Sequence, residues 1–137
     1  MYVKKYEELF KQLKEYNAQV TENYGNEIYQ TPPQIGDDLT NIFPITIFQE
    51  ARNVSNTRFM AGRDIVASVG YRVDIFATTK GQILHQTIAR DIMQYIDDFM
   101  SCKNLTRSSY NTEYNDDIYH IILMYSGNLY ENRAILI

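Results

Sequence analysis

The sequence predicts an α+β domain, with two amphipathic helices packed on one face of a mostly antiparallel sheet. Apolar residues recur at helical spacing near the N-terminus and again from Leu84 to Phe99, whereas a two-residue apolar period runs from Val69 to Ala77. The order helix, strands, helix, strands is continuous, without a linker or a repeat. We therefore expect residues 1–137 to form one domain.

The first helix is predicted from a stripe of large apolar side chains on one side and lysines and glutamates on the other. It should end between Ala18 and Glu22, before a turn-forming cluster. A short strand is expected at Ile28 and Tyr29, and Pro32-Pro33 should end it. The stripe consists of Val3, Tyr6, Phe10, Leu13 and Val20.

A second strand is expected over Asn41 to Gln49. Pro44 has no N–H to donate, so we expect at least the start of this strand at a sheet edge. From Glu50 to Asp64 the sequence is polar and has no period. We predict a projecting loop over 50–64, either a mobile hairpin tip or an arm that contacts a partner.

The central strand alternates from Val69, and Phe76 alone breaks the alternation, so its outer face should meet something apolar. Thr79 and Gln82 have the spacing of a capping box, which predicts a helix start. This helix should run to Cys102 and close at Lys103-Asn104.

The C-terminal part predicts two further strands and a tail. Leu105 to Tyr114 has weak strand character, and Ile118 to Tyr125 is apolar on both faces, as an interior strand is. A turn is expected at Asp116-Asp117, and a bulge or turn at Ser126-Gly127-Asn128. The apolar tail over 134–137 should add an edge strand, in its own sheet or a neighbour's.

The composition limits the possible partners. A net charge of −4 and a pI near 5.1 argue against a sequence-specific or general nucleic-acid binder, which needs a basic face. No apolar run approaches a membrane span, and the charged N-terminus differs from a signal peptide, so we expect an intracellular protein. Twelve Tyr and no Trp suit either half-buried strand positions or protein–protein contacts.

The candidate chemical groups do not converge in the sequence. His85 and His120 are the only histidines, and a metal site needs several ligands. Adjacent acidic pairs point in different directions, and Cys102 follows a helix, where a thiolate is disfavoured. We therefore predict no catalytic, metal-binding or cofactor-binding residues, and no enzyme.

The segment that precedes the second helix fits the pattern Y-x-V-D-I-F/W-A-x-T/S-K, in which x is any residue and a slash separates alternatives. It matches at eight positions: Tyr71, Val73, Asp74, Ile75, Phe76, Ala77, Thr79 and Lys80. With the N-terminal helix, the Phe43–Phe48 strand and the final strand pair, the chain resembles the tail-completion, or tail-terminator, proteins of long-tailed bacteriophages. These are also described as minor capsid or head–tail joining proteins.

The resemblance implies a structural subunit of a ring, expected to be a hexamer, that ends the tail tube in the virion neck. It implies assembly in the bacterial host cytoplasm, with the major tail tube protein and a head-completion or connector protein as partners. The expected interface residues are Arg52, Arg58, Arg63, Phe76, Ile135, Leu136 and Ile137. The alternatives are a head-completion protein, a small α+β ligand-binding module, and an enzyme built around His85 or His120.

Overall fold

The computed structural model describes residues 2–20, 26–30, 44–59, 64–78, 85–115 and 118–132. Within these ranges the chain is an α+β domain with two helices and a five-stranded, mostly antiparallel sheet, as predicted. The elements are α1 Tyr2–Val20, β1 Glu27–Tyr29, β2 Ile45–Phe59, β3 Asp64–Thr78, α2 His85–Cys102, β4 Thr106–Asn115 and β5 Ile118–Asn132.

The strands lie in the order β1-β2-β3-β5-β4. Among the described strands, only β1 and β2 pair in parallel, and the other three pairs are antiparallel. Strand β5 lies between β3 and β4, which confirms the interior strand predicted from its two apolar faces. Both helices pack against the same face of the sheet and against each other, and we call this the inner face.

The core lies between the helices and the inner face. Strands β3 and β5 contribute alternate residues to it, because successive side chains of a strand point to opposite faces. Its fully buried members include Tyr71, Val73 and Ile75 of β3 and Ile121 and Leu123 of β5. From the helices it receives Leu9, Leu13, Ala89, Ile92, Ile96, Phe99 and Met100.

Helix α2 ends in a left-handed cap. Asn104 has a φ of 62°, and its N–H donates to the carbonyl of Ser101 at 3.1 Å. The N–H of Leu105 donates to the carbonyl of Met100 at 3.0 Å, and both of these side chains are buried. These two hydrogen bonds and the apolar contact form a Schellman motif, in which Asn tolerates the αL position better than most residues. The predicted close at Lys103-Asn104 is confirmed.

The prediction of a loop over 50–64 is wrong for most of that segment. Strand β2 continues to Phe59, which pairs with Asp64 at the start of β3. The ladder shifts register between Glu50 and Arg52 and again between Ser55 and Thr57. A bulge adds an unpaired residue, so it reverses the inward and outward alternation along the strand. Two bulges in ten residues therefore remove the period by which a strand is identified in a sequence.

The expected bulge or turn at Ser126-Gly127-Asn128 is also absent, because β5 pairs with β3 continuously from Ile118 to Asn132. Gly127 has a packing reason instead. A Cβ at this position would lie 2.9 Å from Cδ2 of Leu105 and 3.1 Å from the carbonyl oxygen of Asn104. Glycine allows the α2 cap to lie directly against β5.

Pro44 precedes the first paired residue of β2, so its missing N–H removes no ladder bond. The start of β2 is nevertheless not a sheet edge, because β1 pairs with Ile45–Ile47. Several predictions lie outside the described residues: the strand start at 41–43, the capping pair Thr79 and Gln82, the turn at 116–117 and the tail over 134–137.

Candidate interaction surface and polar cluster

Strand β4 ends the described sheet at the side opposite β1, and nearly all of its side chains whose burial is described are exposed. Tyr110 and Tyr114 are opposite Leu123 and Tyr119 of β5, so they belong to the inner face. They lie at the rim of that face, where 46% of Tyr110 and 60% of Tyr114 remain exposed. They are the two large hydrophobic residues that stand out as exposed among the residues whose burial is described.

Arg107 and α2 hold this rim in place. Nη1 of Arg107 donates to Oδ2 of Asp97 at 2.7 Å, and the guanidinium lies 5.6 Å from the Tyr110 ring centroid. The hydroxyl of Tyr125 donates to the other oxygen of Asp97. Burial and this hydrogen bond raise the pKa of Tyr125 well above its ordinary value, so it remains a donor. Asp97 thus connects α2 with both C-terminal strands.

Arg90, an exposed residue of α2, is a second arginine near the exposed tyrosines of β4. The interaction with Tyr119 raises the already high pKa of Arg90. The rings of Tyr114 and Tyr119 lie 5.0 Å apart. Burial raises the pKa of Tyr110, and Tyr119 adds to the shift. We call Arg90, Arg107, Tyr110 and Tyr114 the β4 edge surface.

A second polar arrangement lies on the outer face of the sheet, away from the helices. Asp74 of β3 is 5% exposed and accepts hydrogen bonds from Nε of Arg72 at 2.9 Å and from Nη2 at 3.1 Å. Nε2 of His120 on β5 lies 2.8 Å from Oδ1 of the same carboxylate. Phe76 covers the His120 ring, with centroids 4.1 Å apart and planes at 17°.

Glu113 of β4 extends this arrangement to the edge strand, because its Oε2 lies 3.8 Å from Nδ1 of His120. We call Arg72, Asp74, Phe76, Glu113 and His120 the outer-face cluster. Burial works against ionisation of Asp74, but the hydrogen bonds from His120 and Arg72 prevail and hold its pKa below the ordinary value. The Asp74 carboxylate is therefore charged at neutral pH, and it accepts hydrogen bonds from Arg72 and His120.

The chemical capacity of the outer-face cluster is that of a hydrogen-bonded ion pair. An Asp–His pair also occurs in general-base sites. Here Nε2 is bonded to Asp74 and Nδ1 faces Glu113, so both ring nitrogens have carboxylate neighbours. No group of three or more His, Cys, Asp or Glu side chains in the described part of the chain is arranged to hold a metal ion.

The predicted interface residues lie on different parts of the chain, and only some of them are within the described residues. Arg52 is exposed on β2, opposite Gly70, and Phe76 is half-buried on the outer face against His120. Arg58 pairs with Ile65 through its backbone. Arg63 and Ile135, Leu136 and Ile137 lie outside the described residues. The structure thus does not bring these residues together as one described surface.

Neither the β4 edge surface nor the outer-face cluster was predicted from the sequence. The prediction of a strand over Leu105 to Tyr114 gave no sign that β4 is at the sheet edge. Asp74 and His120 are 46 positions apart and become neighbours only through the β3–β5 register. The available signal was the surplus of tyrosine, which is typical of protein contact surfaces.

The sequence matches no protein-family model and no curated protein. No helix in the described ranges combines the length and the apolar character that crossing a membrane requires. The fold defines the class of the chain, which is an α+β domain with an exposed edge strand.

Proposed function

We propose that this chain is a structural subunit that assembles with copies of itself into a ring, and that the ring is the tail terminator in the neck of a long-tailed bacteriophage. The observation that carries the proposal is the β4 edge surface. It combines exposed tyrosines, arginines and a ten-residue strand at the end of the sheet.

An edge strand presents unpaired N–H and C=O groups, which favours pairing with another strand. Proteins that remain monomeric protect such edges with lysines, prolines or a covering segment. Strand β4 contains neither Lys nor Pro, and its side chains are largely exposed. Tyr and Arg are also the residue types that are most enriched at the energetic centres of interfaces. These features support a protein partner at β4.

A ring needs two different patches on each subunit, because the first patch of each subunit binds the second patch of its neighbour. The sheet offers two unlike edges among the described residues. One is β4. The other, at the opposite end of the sheet, consists of β1 and of the part of β2 beyond Ile47, where the pairing with β1 has ended. A contact between such unlike edges is heterologous, and it closes into a ring when the rotation between neighbours permits.

The place in the phage neck is supported by the resemblance of the Tyr71–Lys80 segment to tail-terminator proteins. On this proposal the ring contacts the major tail tube protein on one side and a head-completion or connector protein on the other. The chain has no catalytic task in that role, and it needs no cofactor. A head-completion subunit is the alternative in the same class.

Electron microscopy tests both levels of the proposal. Purified wild-type protein should show rings with one rotational symmetry, and the double substitution Tyr110→Thr with Tyr114→Thr should abolish them while the protein remains folded. Thr preserves strand propensity and removes the aromatic contact area. Gold-labelled antibody on intact particles should then mark the end of the tail tube. Label on the capsid-side connector alone would favour the head-completion alternative.

A further inference from the structure

His120 has two carboxylates within reach but only one proton to share in its neutral form. Nε2 lies 2.8 Å from Asp74, and Nδ1 lies 3.8 Å from Glu113. Neutral imidazole has one N–H, whereas the imidazolium donates from both nitrogens. With the proton on Nε2, the lone pair of Nδ1 therefore faces a negative charge.

The charged groups that face His120 from the neighbouring strands can be named within the described ranges. Strand β3 contributes Asp74 and Arg72, and β4 contributes Glu113. Arg72 opposes a second positive charge, but its guanidinium is bonded to Asp74. Phe76 stacks on the ring and restricts its orientation. The ring therefore points its second nitrogen at β4 in either protonation state.

We propose that protonation of His120 fastens the edge strand β4 to β5, through an ion pair between the imidazolium and Glu113. The Glu113 side chain is 57% exposed, so it has room to shorten the 3.8 Å separation to hydrogen-bond distance. Asp74 remains charged as the pH falls, because its pKa is lowered by its partners. The outer-face cluster thus holds β4, the strand that carries most of the β4 edge surface, more firmly at low pH. We call this pH-dependent contact between His120 and Glu113 the clamp.

Hydrogen exchange of the β4 backbone amides in the full chain tests this inference. Protection, corrected for intrinsic exchange rates and expressed relative to β3 amides, is compared at about pH 5 and about pH 8, between which a histidine changes charge. We expect wild-type protection of β4 to be about two- to fivefold higher at the lower pH, which is the range that a partly exposed ion pair provides.

Glu113→Gln and His120→Gln should each remove this difference. Gln keeps a hydrogen-bonding group near Asp74 in the second variant, and Glu113→Gln changes an exposed residue, so at least one variant will be folded. Glu7→Gln is the matched control, because Glu7 is an exposed carboxylate on α1, and it should retain the wild-type difference. Equal protection of wild-type β4 at both pH values, or an unchanged difference in Glu113→Gln, would overturn the proposal.

The clamp is intramolecular, and only its consequence for assembly rests on the proposed function. Measurements below the assembly concentration report on the clamp alone. Rings that persist in the tyrosine variant, together with an intact pH effect on β4 protection, would overturn the proposed function alone. Rings that are lost in that variant, together with equal β4 protection at both pH values in the wild type, would overturn the clamp alone.

Discussion

Asn17 and Asn26 exchange two hydrogen bonds between the end of α1 and the start of β1. Nδ2 of Asn17 donates to the carbonyl of Asn26 at 2.8 Å, and Nδ2 of Asn26 donates to Oδ1 of Asn17 at 2.7 Å. The hydroxyl of Thr46 on β2 donates to Oδ1 of Asn26 at 3.1 Å. All three residues are buried, so this network fixes the helix to the parallel strand pair.

Asn17→Ala should lower the free energy of unfolding by about 1–3 kcal/mol, because it leaves buried groups of Asn26 without a partner. Urea denaturation measures the loss. Gln12→Ala is a control on the exposed side of the same helix, and it should change stability by no more than about 0.5 kcal/mol. An equal, small effect of both substitutions would show that the network contributes little.

Gly127→Ala should destabilise the protein by about 1–3 kcal/mol, since the new methyl group would overlap Leu105 and approach the carbonyl of Asn104. Gly70→Ala is the comparison, because its nearest contact is Cβ of Arg52 at 3.3 Å. We expect the Gly70 variant to lose less stability in the same denaturation experiment. The reverse order would contradict the described approach of the α2 cap to β5.

At position 104 glycine and alanine should act in opposite directions. Asn104→Gly should leave stability unchanged or raise it, whereas Asn104→Ala should lower it by about 1 kcal/mol, because the φ of 62° is strained for a residue with a Cβ that lacks the local hydrogen bonding of Asn. Thermal unfolding of the two variants checks the sign. Destabilisation by glycine and tolerance of alanine would exclude the left-handed cap.

Stability should fall as the pH rises from about 10 to about 12. Burial, with a smaller contribution from Glu50, raises the pKa of Tyr6 and of Tyr71 to about 12 in the folded protein. In the unfolded chain these groups ionise near pH 10. The unfolded state therefore loses its protons first, and the free energy of unfolding decreases through this window.

Denaturation at a series of alkaline pH values measures this slope. Tyr6→Phe keeps the ring next to Phe48 and Tyr71 and should reduce the slope, although it also removes the hydrogen bond to the Phe48 carbonyl. Gln12→Ala, which changes an exposed residue of α1 that does not ionise, is the control and should leave the slope unchanged. A Tyr6→Phe slope equal to that of the wild type would contradict the raised pKa of Tyr6.

The parts of the fold that could be predicted are those in which one face is buried. Helices α1 and α2 and the Val69–Thr78 part of β3 have clear periods, because each packs one face on the core. Strand β5 was recognised instead from the apolar residues on both of its faces. The segment 50–59 could not be recognised as a strand, since two bulges interrupt its alternation. The alternation of apolar and polar residues in a sequence indicates which face of a strand is buried. It does not indicate that two strands remain paired across a bulge.

The polar cluster and the edge surface depend on strand order, which a single sequence does not specify. Phe76 was expected on the outer face, but its stacking partner His120 follows from the register of β3 with β5. Likewise, Tyr110 and Tyr114 are exposed because β4, and not β5, is the strand at this end of the sheet. Register is set by the whole sheet, so residues distant in sequence meet only once the fold is known.

Assembly of the chain through β4 can be tested by measuring the native mass of the protein over a concentration series. The wild-type protein should pass from monomer to one discrete oligomer, expected to be a hexamer. The Tyr110→Thr, Tyr114→Thr double variant should need at least about tenfold more protein to reach it, as loss of two interface tyrosines predicts. A control with Lys11→Ala and Gln12→Ala, two exposed residues of α1, should match the wild type. A monomer at every concentration, or an oligomer that the tyrosine variant leaves unchanged, would contradict the account.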